Sequence, residues 1–96
     1  MRNRYIVTYD ITDDRRRTSV YNKLRGFGEH LQYSVFRCDL SDRECIEMKA
    51  EVHSLIDHDD DQILIIDLGP VDGRADGCIE SIGRTYKKPE RVVVIL

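Results

Sequence analysis

Three apolar, β-rich runs enclose two stretches of helical period, and this alternation limits the chain more than any other feature. The first run, Arg-Tyr-Ile-Val-Thr-Tyr at 4–9, is rich in the β-branched and aromatic residues that fit a pleated surface. In the following "ITDDRRRTSVYNKLRGFG", Val20, Leu24 and Phe27 recur at i, i+4 and i+7, one stripe of a helix. Thr12 or Asp13 suits its N-cap, Asp14 in the first turn suits its dipole, and Gly26 and Gly28 close it. "HLQYSVFRCDL" at 30–40 is extended, as one bent strand or as two short strands joined tightly; periodicity does not separate the two. "SDRE" at 41–44 is a capping box, with Ser41 as the cap and Glu44 reaching back to it. Cys45, Met48, Val52 and Leu55 then form a second apolar stripe. Beyond the acidic "DHDDD" at 57–61, "QILIIDLG" at 62–69 is a strongly apolar strand stopped by Gly69-Pro70. "VDGRADG" reads as a loop, "CIESIG" at 78–83 as a weak strand and "RVVVIL" at 91–96 as a last strand.

This order predicts an α+β sandwich, two helices on one face of a mostly antiparallel sheet. With 30–40 taken as two strands it becomes βαββαβ, the ferredoxin-like arrangement. The whole chain, 1–96, is expected to be a single such domain, with its core at about 4–83. The strand at 91–96 is surplus to the four-stranded sheet. Its residues Val92 to Leu96 are too apolar to lie in water, and an exposed strand of that kind is a pairing template. It is therefore expected to add to the sheet of a second protomer, giving a homodimer. A 96-residue chain buries only about two-thirds of its unfolded surface, so dimerisation would supplement a small core.

No apolar run approaches the ~18 residues that a membrane span requires, and "MRNRYIV" has no signal-peptide core. The expected location is cytoplasmic, with no membrane partner. Three cysteines, Cys38, Cys45 and Cys78, form no CxxC pair, so reduced and mostly buried thiols are expected rather than a zinc site. The net charge of −3 argues against nucleic acid, but its distribution argues the other way. Residues 2–37 hold eight Lys/Arg against four Asp/Glu, residues 38–83 three against thirteen, and residues 84–96 four against one. If the basic ends meet in the fold, they form one positive face.

Asp10 is the first candidate for chemistry, because it stands where an apolar strand ends and a rigid element can present a carboxylate. It also suits a turn, where an Asp hydrogen-bonds the backbone amide two residues on. A single carboxylate is a poor metal site, although Mg²⁺ often takes only one or two, and a two-fold dimer supplies a second copy. Arg15, Arg16 and Arg17 in the first helical turns oppose the helix dipole. They are either a solvated face or contacts to phosphates, a patch that Lys23 and Arg25 extend. Arg84, Lys87, Lys88 and Arg91 form a second basic group. His30, His53 and His58 have no triad-like neighbours, Asp59, Asp60 and Asp61 lack the alternation of a calcium loop, and there is no Gly-rich phosphate loop.

"YIVTYDITDDRRR", then "VYNKLRGFGEHLQYSVFRCDL" and later "ILIIDLG", resemble the Cas-two family of CRISPR-associated proteins over residues 4 to about 69, and "RVVVIL" also fits. The resemblance implies a ferredoxin-like protomer in a symmetric homodimer, with Asp10 of both chains sharing one Mg²⁺ at the dimer axis. It implies a part in CRISPR adaptation, the capture of foreign DNA. Family members cut single-stranded RNA or duplex DNA with metal, or serve without catalysis as the core that bridges the CRISPR integrase dimers. The matching positions are Tyr9, Asp10, Arg17 and Phe36 as catalytic residues, with Arg15, Arg16, Arg17, Lys23, Arg25, Lys87 and Lys88 left for nucleic acid. Ser19 stands where many members carry a further Arg, which weakens a catalytic role for an arginine there. On these readings the chain is a metal-dependent phosphodiesterase or a nucleic-acid-binding scaffold. A ferredoxin-like dimer that binds some other ligand ranks behind both.

Overall fold

A computed structural model describes residues 1–84 of the protein. Its elements follow in the order β1 (Asn3–Asp10), α1 (Asp14–Arg25), β2 (Glu29–Gln32), β3 (Val35–Leu40), α2 (Asp42–His53) and β4 (Gln62–Pro70). The strands lie side by side as β2-β3-β1-β4, every neighbouring pair antiparallel. This is the ferredoxin-like fold. The segment at 30–40 divides at Tyr33-Ser34 into two strands, which settles the choice left open by periodicity. Both crossovers return on the helical side of the sheet.

Strand alternation decides which face is buried. Tyr5, Val7 and Tyr9 of β1 join Phe36, Cys38 and Leu40 of β3 beneath Val20 and Leu24 of α1 and Cys45, Met48 and Val52 of α2. Ile63 and Ile65 of β4 pack against the rim of this core. Intervening residues face away from the helices. There Ile6 lies opposite Ile66 and Thr8 opposite Leu64, and the Leu64 and Ile66 side chains are about half exposed, at 50% and 47%. Arg4 and Asp39, paired at 2.8 Å, stand on the same face.

The helix starts follow the residues that suit them. Asp13 caps α1 by accepting from the Arg16 amide, and Asp14 occupies the first turn. Ser41 and Glu44 complete the capping box of α2. Gly26 caps α1 in right-handed geometry, with φ of −75°. Gly28 has a different reason to be glycine: a Cβ there would lie 2.2 Å from the Arg37 carbonyl oxygen and 2.6 Å from Cys38 Sγ.

One expectation about the second half shifts and another fails. β4 does end at this pair, one residue later than expected, with Gly69 and Pro70 as its last two residues. Gly69, at φ +91°, sits in the bulge between the Tyr5–Asp67 and Asn3–Pro70 pairs, and Pro70 is tolerated because it ends an edge strand. "CIESIG" is not a strand. The 71–77 turns close on themselves, with Ala75 N–H donating to Pro70 O and Cys78 N–H to Ala75 O. No described strand lies beside the segment, and Ile82 is fully exposed. Among the described residues, no helix is long and apolar enough to cross a membrane. The strand expected at 91–96 lies outside the described residues.

Gly28→Ala should destabilise the fold by about 3 kcal/mol, the upper end for an overpacked core, because the methyl meets backbone rather than a movable side chain. Urea titration followed by circular dichroism checks this.

Candidate metal and nucleic-acid site

Asp10 is the last residue of the central strand, opposite Gln62 at the start of β4, and its side chain is exposed. The residue after it, Ile11, is buried in the core and draws the chain inward toward α1. In a turn of the kind considered for Asp10, its carboxylate would accept from the Thr12 amide. That amide instead donates to Asp61 Oδ1 at 3.3 Å. No described group hydrogen-bonds or pairs with the Asp10 carboxylate, so it stands free at the end of a rigid element.

The residues around Asp10 are held by their own contacts. The Asp61 side chain, shielded from solvent, receives four donors. Arg16 Nε reaches Oδ2 at 2.7 Å and Arg16 Nη2 reaches Oδ1 at 3.2 Å; the Asp57 amide (2.9 Å) and the Thr12 amide complete the set. Arg16 above all, and then the two amides, hold the Asp61 carboxyl down at about 2. The ion pair therefore persists above that pH, and its contribution to stability is lost only as pH falls from the ordinary carboxylate range through about 2. Arg17 donates to the Ile11 carbonyl at 3.0 Å and pairs with Asp14.

These contacts sort the basic residues expected to meet nucleic acid. Arg16 and Arg17 are engaged by the protein itself. Lys23 pairs with Glu51 of α2 at 3.3 Å, and the Arg25 guanidinium lies 5.9 Å from the Tyr21 ring centre. Arg15 alone of the three consecutive arginines is exposed with no partner among the described residues. Arg84 is exposed. Lys87, Lys88 and Arg91 lie outside the described residues, so where the second basic group sits relative to Arg15 is not described.

Tyr9 and Phe36 lie on the opposite face from Asp10. Phe36 is wholly buried, its ring 6.3 Å from Tyr9 and 5.6 Å from Tyr21 between centres. A ring so enclosed packs the core and orients Tyr9, and it presents no surface to a substrate. Tyr9 donates a long hydrogen bond, 3.5 Å, to the Tyr33 carbonyl. Burial raises its phenol above the ordinary range, so it remains protonated at neutral pH. Tyr9, Arg17 and Phe36 thus support the end of β1 from the helical side, and Asp10 is alone on the other.

A hard, oxygen-only donor such as Asp10 fits Mg²⁺, which commonly keeps several waters and binds one or two carboxylates. Among the described residues no three His, Cys, Asp or Glu side chains converge on a common point. A sequence model of the family described as CRISPR associated protein Cas2 matches residues 2–72. The chain belongs to this family. It is 38% identical to the CRISPR-associated endoribonuclease Cas2 1 of Rhodospirillum rubrum over 92 residues, covering 96% of this chain and 89% of that one. It is also 38% identical over 96 residues, the full length of both chains, to the CRISPR-associated endoribonuclease Cas2 of Geobacter sulfurreducens. Among solved structures, a hypothetical protein from Thermus thermophilus aligns with a TM-score of 0.73 at 34% identity, over 88% of this chain and 94% of that one. Streptococcus pyogenes Cas2 at pH 6.5 aligns with a TM-score of 0.70 at 27% identity, over 83% and 99%. The Cas2 match runs from the residue before β1 to just past β4, so Asp10, the arginine run and Asp61 all lie within it.

Asp61 was missed as a site-supporting residue. In sequence it is one acid of a run in a turn, and its partners lie 45 and 49 positions away. The arginines divide the same way. Arg15→Ala should leave the melting temperature unchanged and reduce the salt dependence of single-stranded RNA binding by about one unit of log–log slope per chain. Arg16→Ala should lower the melting temperature. Fluorescence anisotropy across a KCl series, with thermal melts, checks both.

Proposed function

We propose that this chain is a homodimeric, Mg²⁺-dependent endonuclease of the CRISPR adaptation stage, cutting single-stranded RNA, duplex DNA or both in the cytoplasm. The observation that carries the reading is the free Asp10 carboxylate at the end of β1, beside a half-exposed apolar sheet face. The endoribonuclease names of relatives at 38% identity support the same reaction class. A second copy packed on the face bearing Ile6, Leu64 and Ile66 would bring two Asp10 carboxylates toward one axis. The strand at 91–96 would extend the partner's sheet, completing a domain that spans 1–96.

A bound Mg²⁺ would orient water and stabilise the charge that develops at a phosphodiester. Asp10 from each chain would hold the ion. Arg15, at the exposed start of α1, would contact a neighbouring phosphate, and Lys87 and Lys88 would extend that contact. Phe36 and Tyr9 would keep the end of β1 rigid from beneath, and Arg17 would fix the Ile11 carbonyl.

One observation favours a second reading, a non-catalytic DNA-binding scaffold that bridges the dimers of the CRISPR integrase. Among the described residues no three His, Cys, Asp or Glu side chains gather into a cluster that could hold a metal ion within one chain. The two readings part on one experiment. With purified protein and labelled single-stranded RNA and duplex DNA, Asp10→Ala or removal of Mg²⁺ by a chelator should lower cleavage by at least about a hundredfold. Cleavage that survives both changes overturns the metal mechanism. A wild-type protein that cuts neither substrate, yet binds DNA with a steep salt dependence unaffected by Asp10→Ala, establishes the scaffold.

A further inference from the structure

We propose that Asp61 is a positioning residue for Asp10, acting through the backbone of residues 11–13, in an inference that rests on the shared-metal reading above. Asp10 and Gln62 are the last cross-strand pair of the β1–β4 ladder. Beyond that pair the chain leaves the sheet on both sides, so the ladder holds Asp10 but not the turn that follows it. Asp61 closes the gap from the β4 side. It immediately precedes Gln62, and it accepts from the Thr12 amide, two residues past Asp10, and from Nε and Nη2 along one edge of the Arg16 guanidinium on α1. The Asp57 amide fixes Asp61 in turn. Arg17 holds the next carbonyl, that of Ile11, from the helical side.

The chain after Asp10 is thus gripped at two consecutive residues, by Arg17 of α1 and by Asp61 in the turn that leads into β4. Every contact is charge-assisted, and the Asp61 side chain is closed to water, so the grip does not exchange readily with solvent. The arrangement matters more here than in a site built within one chain. A two-fold site doubles any error in carboxylate position, because the same displacement occurs on both sides of the axis. Outer groups that orient metal ligands commonly change metal affinity by about 10–100-fold when removed. Asp61 belongs with such groups although it touches neither the ion nor the substrate.

The test uses Mn²⁺ as the probe, bound to the full-length dimer and followed by electron paramagnetic resonance, which reads the ion without catalysis. Asp61→Asn keeps the shape but loses the charge, and it should raise the Mn²⁺ half-saturation at least about tenfold. Arg16→Lys keeps the charge but loses the fork, and it should give a smaller rise in the same direction. It also serves if Asp61→Asn does not fold. Leu40→Ala removes a core side chain opposite Asn3, at the other end of the β1–β3 ladder. It should lower the melting temperature and leave the Mn²⁺ half-saturation unchanged. Wild-type Mn²⁺ binding by folded Asp61→Asn or Arg16→Lys, with Asp10→Ala defective, overturns the role of Asp61 alone. A weakened Leu40→Ala also overturns it, because loss of stability would then explain the effect. Wild-type Mn²⁺ binding by Asp10→Ala overturns the metal reading itself.

Discussion

The central position of β1 is the constraint on which the rest depends. It is bonded antiparallel to β3 on one side and to β4 on the other, so its eight residues fix the register of both neighbours, and β2 joins the sheet through β3. Its odd positions, Tyr5, Val7 and Tyr9, supply the floor on which both helices rest. Its even positions, Ile6 and Thr8, set the character of the other face, and Asp10 ends the same row. Because the strand is held on both edges, the carboxylate at its end inherits the rigidity of the sheet. A functional group gains most from a scaffold placed in this way.

The charged residues near Asp10 divide into those that build the site and those left to face a ligand. Asp13, Asp14 and Asp61 are taken up by capping and pairing; so are Arg16 and Arg17. A count of acids and bases in "DITDDRRR" therefore overstates what a substrate would meet. What remains without a described partner in that stretch is one carboxylate and one guanidinium, Asp10 and Arg15, separated by a tightly held turn; Asp14 is exposed but paired with Arg17. On the proposed reading, a metal ion between two copies of that carboxylate would need little more from one chain, since Mg²⁺ commonly keeps several waters.

Much of the fold was legible in the sequence, because the signals were local. Val20 and Leu24 at helical spacing, the reciprocal Ser41–Glu44 box and the β-branched runs each act within a few residues, and the structure follows them. The expectation failed where partners are remote or missing. "CIESIG" had the composition of a weak strand but no neighbouring strand among the described residues. Gly69-Pro70 does end β4, but the bulge that carries Gly69 arises only from the pairing with β1. Of the site, the position of Asp10 could be read from the end of an apolar run. That its carboxylate is free could not, because the decisive fact is that the Thr12 amide goes to Asp61, 49 residues away. The burial of Phe36 was equally hidden, since a residue-by-residue resemblance carries a role without saying which face of the strand bears it.

The central claim is that one chain holds half of a metal site. Its most direct test is the stoichiometry of Mn²⁺ binding to purified protein of known subunit concentration. Saturation is expected at about one ion per two chains, with that binding abolished by Asp10→Ala. Saturation at one ion per chain, or binding indifferent to Asp10, would contradict it.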